Sequence, residues 1–411
     1  MANALIIVLV SLGLAYFLAE IVRKLGLPRV VGQISAGLIL GIPLLKKYLF
    51  ITENIQILSF LANLGIVLLF YYVGLETNFR TITKNIQQSI LISLFNTFIP
   101  LILGFIIMRY FFGFSILISL IIGISLSVSA QSVSLDILEE LKLLKSRIGS
   151  LIVRTGAVDD VIELILVGIL FSIFHVAVNS RTITRLILDI IIFLIVIVVS
   201  RIWLIPYSLK FFDRQKSTTA RFTGALLLVL LIASLAEFLG IGLLIGAMIA
   251  GILVRQTIFK DKTIPDWEEH NISKSIHIIS FGFLIPLFFV SVGLNVDLSL
   301  FFEEFWFILI LLLISIIGTV GGSTIAVLIS NGKFKDGLTL GWGLSPKGDI
   351  ELVIAILALT NGIISINIYT SLVIMALLTT IISPIFFKQL VIRNNIKKHG
   401  TKNRKAATIK S

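Results

Sequence analysis

The chain has 411 residues, 57% of them hydrophobic and 14% charged, with a mean hydropathy of +1.08. Soluble domains carry about one-quarter charged residues, so this composition excludes a soluble globular protein and indicates a polytopic membrane protein. Cysteine is absent and the four histidines form no His-x-x-x-His pair, which excludes disulfides, thiolate chemistry and the usual ligand set of a zinc site. The net charge of +12 comes from Lys and Arg scattered among short loops rather than gathered on one face, so no nucleic-acid partner is expected and the lipid bilayer is the expected surroundings.

Taken in order, apolar runs of about 20 residues predict spanning helices near 3–23, 27–44, 55–75, 87–109, 115–139, 148–174, 183–205, 220–238, 241–258, 276–294, 303–328, 335–359 and 366–390. The first run is too long for a signal peptide and no cleavage site follows it. About thirteen spans put the two ends of the chain on opposite sides. With the N-terminus outside, the inner segments and adjoining helix ends hold 26 of the 34 Lys and Arg, against five on the other side. That bias predicts a cytoplasmic C-terminus in a plasma or inner membrane, with residues 393–411 as a basic tail and 1–392 as the membrane domain.

The chain repeats itself. Leu25-Gly26-Leu27 through Ala36-Gly37-Leu38 returns as Leu239-Gly240-Ile241 through Ala250-Gly251-Ile252. Val73-Gly74-Leu75 returns as Val292-Gly293-Leu294, and Gly123 with Leu126-Ser127 returns as Gly341 with Leu344-Ser345. The offsets are nearly constant, at 214, 219 and 218 positions. The second copy begins an odd number of crossings after the first, so it is expected to be inverted in the membrane, which is a signature of secondary transporters. The repeats are expected at about 27–174 and 241–390, linked by the helices of 183–238.

Two spans in corresponding positions are poor continuous helices. Ser125 to Ser134 packs five hydroxyls and the amide of Gln131 into one. Gly341-Trp342-Gly343-Leu344-Ser345-Pro346-Lys347-Gly348-Asp349 puts Pro, Lys and Asp into the other. Proline removes a backbone donor, glycine lowers helix propensity and serine competes for backbone groups, so both helices are expected to be interrupted. Broken helices at membrane depth are tolerated where they line a cavity. Between them in sequence lies Arg154-Thr155-Gly156-Ala157-Val158-Asp159-Asp160-Val161-Ile162-Glu163. At about 1.5 Å per residue the Asp pair sits about 17 Å into its span, near the bilayer centre. A carboxylate there costs on the order of 3 kcal/mol, so the pair needs a function or a partner.

At these residues the chain resembles the monovalent cation:proton antiporter-2 family, which includes Na⁺/H⁺ antiporters and Kef-type K⁺/H⁺ antiporters. The resemblance rests on Ala157-Val158-Asp159-Asp160, Leu239-Gly240 leading to Gly246-Ala247 and Ala250-Gly251, Leu287 to Leu294, and Pro346-Lys347-Gly348-Asp349. It implies an all-α polytopic fold with two discontinuous crossing helices, a homodimer, and a core domain that moves against a dimerisation domain. The family's ion-binding carboxylate falls on Asp160 and its companion on Asp159, which together would hold Na⁺ or K⁺. Three departures stand out. Lys347-Gly348-Asp349 replaces the usual Arg-Gly-Glu, Glu163 stands where Gly is common, and Thr319 stands where several members carry a Lys. Kef-type members also carry a nucleotide-binding domain, and none in cis is expected here.

A hard monovalent cation and protons want the same oxygens, and mutually exclusive occupancy gives antiport when the loaded forms reorient and the empty ionised form does not. Glu163 lies on the shared side of both aspartates, and Ser129, Gln131 and Ser132 are candidate neutral ligands from the first broken helix. Lys347 and Asp349 are placed to neutralise the facing half-helix ends. Neither an enzymatic role nor a cofactor is expected beyond the transported Na⁺ or K⁺ and H⁺. An intramembrane aspartyl protease would need neither adjacent carboxylates nor an inverted repeat. A channel would conduct without proton counterflux, a Kef-like K⁺ efflux system would take K⁺, and a Na⁺-coupled organic anion symporter would need an anion clamp that the acidic, aliphatic site lacks.

Overall fold

The computed structural model describes residues 4–50, 52–76, 86–179, 183–207, 218–258 and 274–408, and among them the regular structure is helical. The helices are α1 (Ala4–Lys24), α2 (Arg29–Leu40), α3 (Pro43–Leu49), α4 (Thr52–Glu76), α5 (Ile86–Ile106), α6 (Ile116–Ser127), α7 (Ser132–Glu140), α8 (Arg147–Asn179) and α9 (Ile183–Val199). They continue with α10 (Thr218–Phe238), α11 (Leu243–Ile258), α12 (Lys274–Leu294), α13 (Phe305–Ile329), α14 (Phe334–Leu344), α15 (Asp349–Thr360) and α16 (Ile366–Thr408). Seven described helical segments are long and apolar enough to cross a membrane, one of them made of α6 and α7 together, and α2 with α3 form a further pair bent by 81°. The bend falls at Pro43, which supplies no backbone donor. Arg80, Lys84, Lys210, Arg214, Lys216, Lys260 and Lys262, on which part of the charge bias rests, lie outside the described residues, as do Arg181 and the side chains of the tail.

The chain divides into two compact units. One comprises residues 1–21, 32–79 and 164–296, and the other comprises 22–31, 80–163 and 297–411. In the first unit, contact between helices runs through small residues, as it must where lipid tails are as apolar as leucine and only close packing favours association. α1 buries a narrow stripe of Ile7, Ser11, Ala15 and Ala19 and leaves Leu5, Leu9, Tyr16 and Phe17 exposed.

α2 crosses α12 at Gly37 and Gly293, and α4 crosses α11 at Gly74 and Gly251. A Cβ on Gly37 would lie 2.8 Å from the Cα of Gly293, and one on Gly74 would lie 3.1 Å from the Cα of Gly251. Gly251 is the repeat of Gly37 and Gly293 the repeat of Gly74, so the two crossings are the same contact made twice with the partners exchanged. Gly26 and Gly240, also repeat equivalents, share a left-handed backbone, with φ of 77° and 75°.

The second unit is built on α5, α13 and the two broken helices. Gly318 and Gly322 of α13 let its backbone lie against Pro100 and Phe95 of α5. An apolar cluster of Ile92, Leu138, Ile152, Leu340, Leu344 and Phe387 joins α5, α7, α8, α14 and α16. Here too the repeat is legible in contacts. Gly123 of α6 approaches Leu101 of α5, and Gly341 of α14 approaches Val320 of α13. The interruptions expected from sequence fall at 128–131, between α6 and α7, and at 345–348, between α14 and α15.

Gly251→Val and Gly293→Val are expected to push backbones apart and cost about 1–3 kcal/mol or more by overpacking. Gly13→Val, whose Cβ would meet nothing within 4 Å, is the matched control. Melting temperature and monodispersity in detergent check this: the two crossing variants should fall and the control should not.

Candidate functional site

The two breaks meet at their backbones. Val128 leaves α6 with an extended backbone, φ −65° and ψ 140°, and the next N–H groups turn away from the helix. The Ala130 N–H donates to the Pro346 carbonyl at 2.7 Å, so each unwound segment satisfies a polar group of the other. Only a residue without a side chain fits opposite, since a Cβ on Gly348 would lie 2.6 Å from the Cβ of Ala130. Local hydroxyls occupy carbonyls beside the breaks: Ser127 Oγ donates to Ile124 O at 2.8 Å and Ser345 Oγ to Gly341 O at 2.8 Å. Ser134 Oγ donates to Gly343 O, and Thr380 Oγ1 donates to Lys347 O.

α8 carries its three acids past this crossing. Asp159 is fully buried and fully engaged. Its Oδ1 accepts from Ser93 Oγ, and its Oδ2 accepts from Asn96 Nδ2 at 3.1 Å and Gln131 Nε2 at 3.2 Å. Ser93 and Asn96 are three residues apart on α5 and so face the same way. Ser323 Oγ of α13 donates in turn to Asn96 Oδ1 at 3.4 Å, which leaves the amide nitrogen aimed at the carboxylate. Hydrogen bonds to a charged group contribute about 1.5–3 kcal/mol each, so three donors offset a mid-membrane carboxylate costing on the order of 3 kcal/mol.

Asp160 differs in kind. It is half-buried and accepts no hydrogen bond from the described residues, so its oxygens are uncommitted. Glu163 is fully buried, and its Oε1 accepts the Ser129 N–H at 2.8 Å and Ser129 Oγ at 3.1 Å. Glu163 therefore receives a backbone donor released where α6 unwinds. Its Oε2 accepts nothing from the described residues.

The supporting residues expected from sequence divide accordingly. Ser129 and Gln131 donate to the carboxylates, and Gln131 Nε2 also reaches Gly156 O at 3.4 Å. Ser132, the first residue of α7, is exposed and is not brought to the acids. Asp349 begins α15, where a negative charge suits the positive end of the helix. Lys347 is 1% exposed, and its Nζ donates to Thr319 Oγ1 at 3.5 Å. The ammonium of the second break thus stands beside Thr319 of α13. Arg154 turns back along its own helix, with Nε donating to Ser150 O at 3.0 Å.

Sequence reasoning missed Ser93, Asn96, Ser323 and Glu351. The first two were visible as polar residues at i and i+3 in an otherwise apolar run, and Glu351 as a lone acid in the apolar stretch of Ile350 to Ala358.

The crossing of two broken helices thus sits beside a half-buried acid and its fully hydrogen-bonded companion. Residues 8–393 match the family model for the sodium/hydrogen exchanger transmembrane region, and the chain belongs to that family. A Na(+)/H(+) antiporter of Enterococcus hirae is 28% identical over 373 residues, covering 90% of this chain and 93% of its own length. The Na(+)/H(+)-K(+) antiporter GerN of Bacillus cereus is 26% identical, covering 89% and 90%. The solved sodium proton antiporter MjNhaP1 of Methanocaldococcus jannaschii superposes with a TM-score of 0.66 over 95% of this chain and 98% of its own, at 16% identity, and so shares the fold.

Ser93→Ala and Asn96→Ala each remove one donor from a buried carboxylate, so each is expected to destabilise the protein by about 1.5–3 kcal/mol. Denaturation of the purified variants checks this. Wild-type stability in both would mean that these bonds do not hold Asp159.

Proposed function

We propose that this chain is a secondary active transporter that exchanges a monovalent cation, Na⁺ foremost, for protons across a membrane by alternating access. In this reading Asp160 is the carboxylate that cation and proton occupy in turn, and Asp159 is its companion. The observation that carries it is the contrast between adjacent acids: Asp159 is saturated with donors, while Asp160, only partly buried, accepts none from the described residues. An oxygen already accepting hydrogen bonds is a poor ligand for a hard cation, whereas a desolvated, uncommitted carboxylate takes either a cation or a proton to neutralise its charge.

Glu163 joins the unwound segment to the helix that carries the pair, so a change at the ion site is felt by the broken helix. Ser129 and Gln131 hold Glu163 and Asp159, and Lys347 supplies the buried positive charge beside Thr319. The exchange needs no resident cofactor in this reading. The distribution of Lys and Arg supports an outside N-terminus and a cytoplasmic C-terminus, and the family resemblance supports a homodimer in the cell membrane.

The test is proton movement in proteoliposomes on addition of Na⁺, K⁺ or Li⁺, in wild type and Asp160→Asn. Cation-driven proton movement is expected in wild type, with a fall to the level of empty liposomes in Asp160→Asn, and the most effective ion names the substrate. Conduction of cation without proton counterflux would replace this reading with a channel.

A further inference from the structure

Among the described residues the buried Lys347 ammonium, with three N–H donors, makes one hydrogen bond, the 3.5 Å contact to Thr319, and no ion pair. Glu351, in the first turn of α15, is fully buried, and neither carboxylate oxygen accepts a hydrogen bond from the described residues. Glu163 Oε2 is in the same condition. Buried carboxylates in folded proteins almost always have donors, so two with bare oxygens around one under-used ammonium point to a group that changes partners.

The backbone contacts place acceptors on both sides of the lysine. Glu351 is four positions past Lys347, in the first turn of its own half-helix. The Pro346 carbonyl, next to Lys347, accepts from Ala130, whose neighbours Ser129 and Gln131 hold Glu163 and Asp159. The lysine therefore stands between Glu351 on α15 and the acids of α8. Its backbone is fixed by Thr380, while four flexible carbons carry the charge.

We propose that Glu351 is the alternate acceptor for the Lys347 ammonium and, by drawing that charge away from Asp159 and Glu163, sets the affinity of the ion site. With the aspartate side empty, the ammonium turns toward Glu163 and Asp159 and stands in for the missing cation. When a cation occupies Asp160, the ammonium withdraws to Glu351, and two positive charges avoid sharing one set of carboxylates. Glu351 is thus a positioning residue that acts through Lys347. The inference rests on the antiport reading of the same site.

The test uses Glu351→Gln, Lys347→Gln and the double variant, with cation affinity measured by calorimetry on purified protein and KM in proteoliposomes. Glu351→Gln is expected to raise both the Kd and the KM for the transported cation about fivefold or more, the low end of coupling between two sites, with a smaller change in maximal rate. Lys347→Gln is expected to bind the cation more tightly than wild type, and adding Glu351→Gln to it should change nothing further. Glu351→Asp, which keeps the charge, should restore most of the affinity and covers the case in which the neutral variant folds poorly. Wild-type Kd and KM in Glu351→Gln overturn the proposal, as does an equal loss of affinity in the Lys347→Gln background. Wild-type protein that moves no protons in response to any cation overturns the antiport reading and this proposal with it.

Discussion

A carboxylate at mid-membrane depth has no water to fall back on, so the protein must supply its hydrogen bonds. The organisation of the second unit can be traced to that requirement at Asp159. Two of its donors come from α5, which α13 approaches closely because Gly318 and Gly322 present no side chains there. The third is Gln131, available because α6 stops at Ser127 and the chain unwinds before α7. Unwinding frees backbone groups that would themselves be unsatisfied in lipid, and they are answered by Glu163 and by the carbonyl of Pro346 in the second break. The broken helices and the acids are therefore one structure: remove the crossing and Asp159 loses a donor, remove the acids and the unwound Ser129 loses its acceptor.

The inequality of two neighbouring acids follows from helix geometry. Successive residues on α8 are about 100° apart, so α5 and the break can reach Asp159 but not Asp160 with the same donors. One acid is held and the other is left open to whatever positive species arrives. Exchange chemistry asks for that asymmetry, because a site satisfied by the protein has no reason to bind an ion, and a site of two bare acids would not tolerate its own empty state.

Much of this was legible in the sequence, because bilayer thickness and backbone chemistry leave strong marks. Apolar runs located the helices, although α8 continues to Asn179 and α16 to Thr408, past the predicted ends at 174 and 390, since the end of an apolar run marks the edge of the hydrocarbon and not the end of a helix. The breaks were visible in Ser125 to Ser134 and in Pro346 with its glycines, and the Asp pair as charges where charge is costly. The partners of those charges were not visible. Ser93, Asn96 and Ser323 sit among apolar neighbours at spacings that ordinary helix packing also produces, and their meeting with Asp159 spans 66 and 63 positions for the first two. Lys347 read as a neutraliser of helix ends. Its reach to Thr319, across 28 positions, became evident only when α13 and the break were placed together.

The central claim is that cation and proton compete for the same carboxylates, with Asp160 the one that trades. The most direct measurement is the number of protons released when Na⁺ or K⁺ is added to purified protein in weakly buffered detergent solution between about pH 6 and 9. The account predicts proton release that saturates with cation, fades as the pH rises and the site empties of protons, and is absent in Asp160→Asn. Saturable cation binding with no proton release at any pH in that range would contradict it.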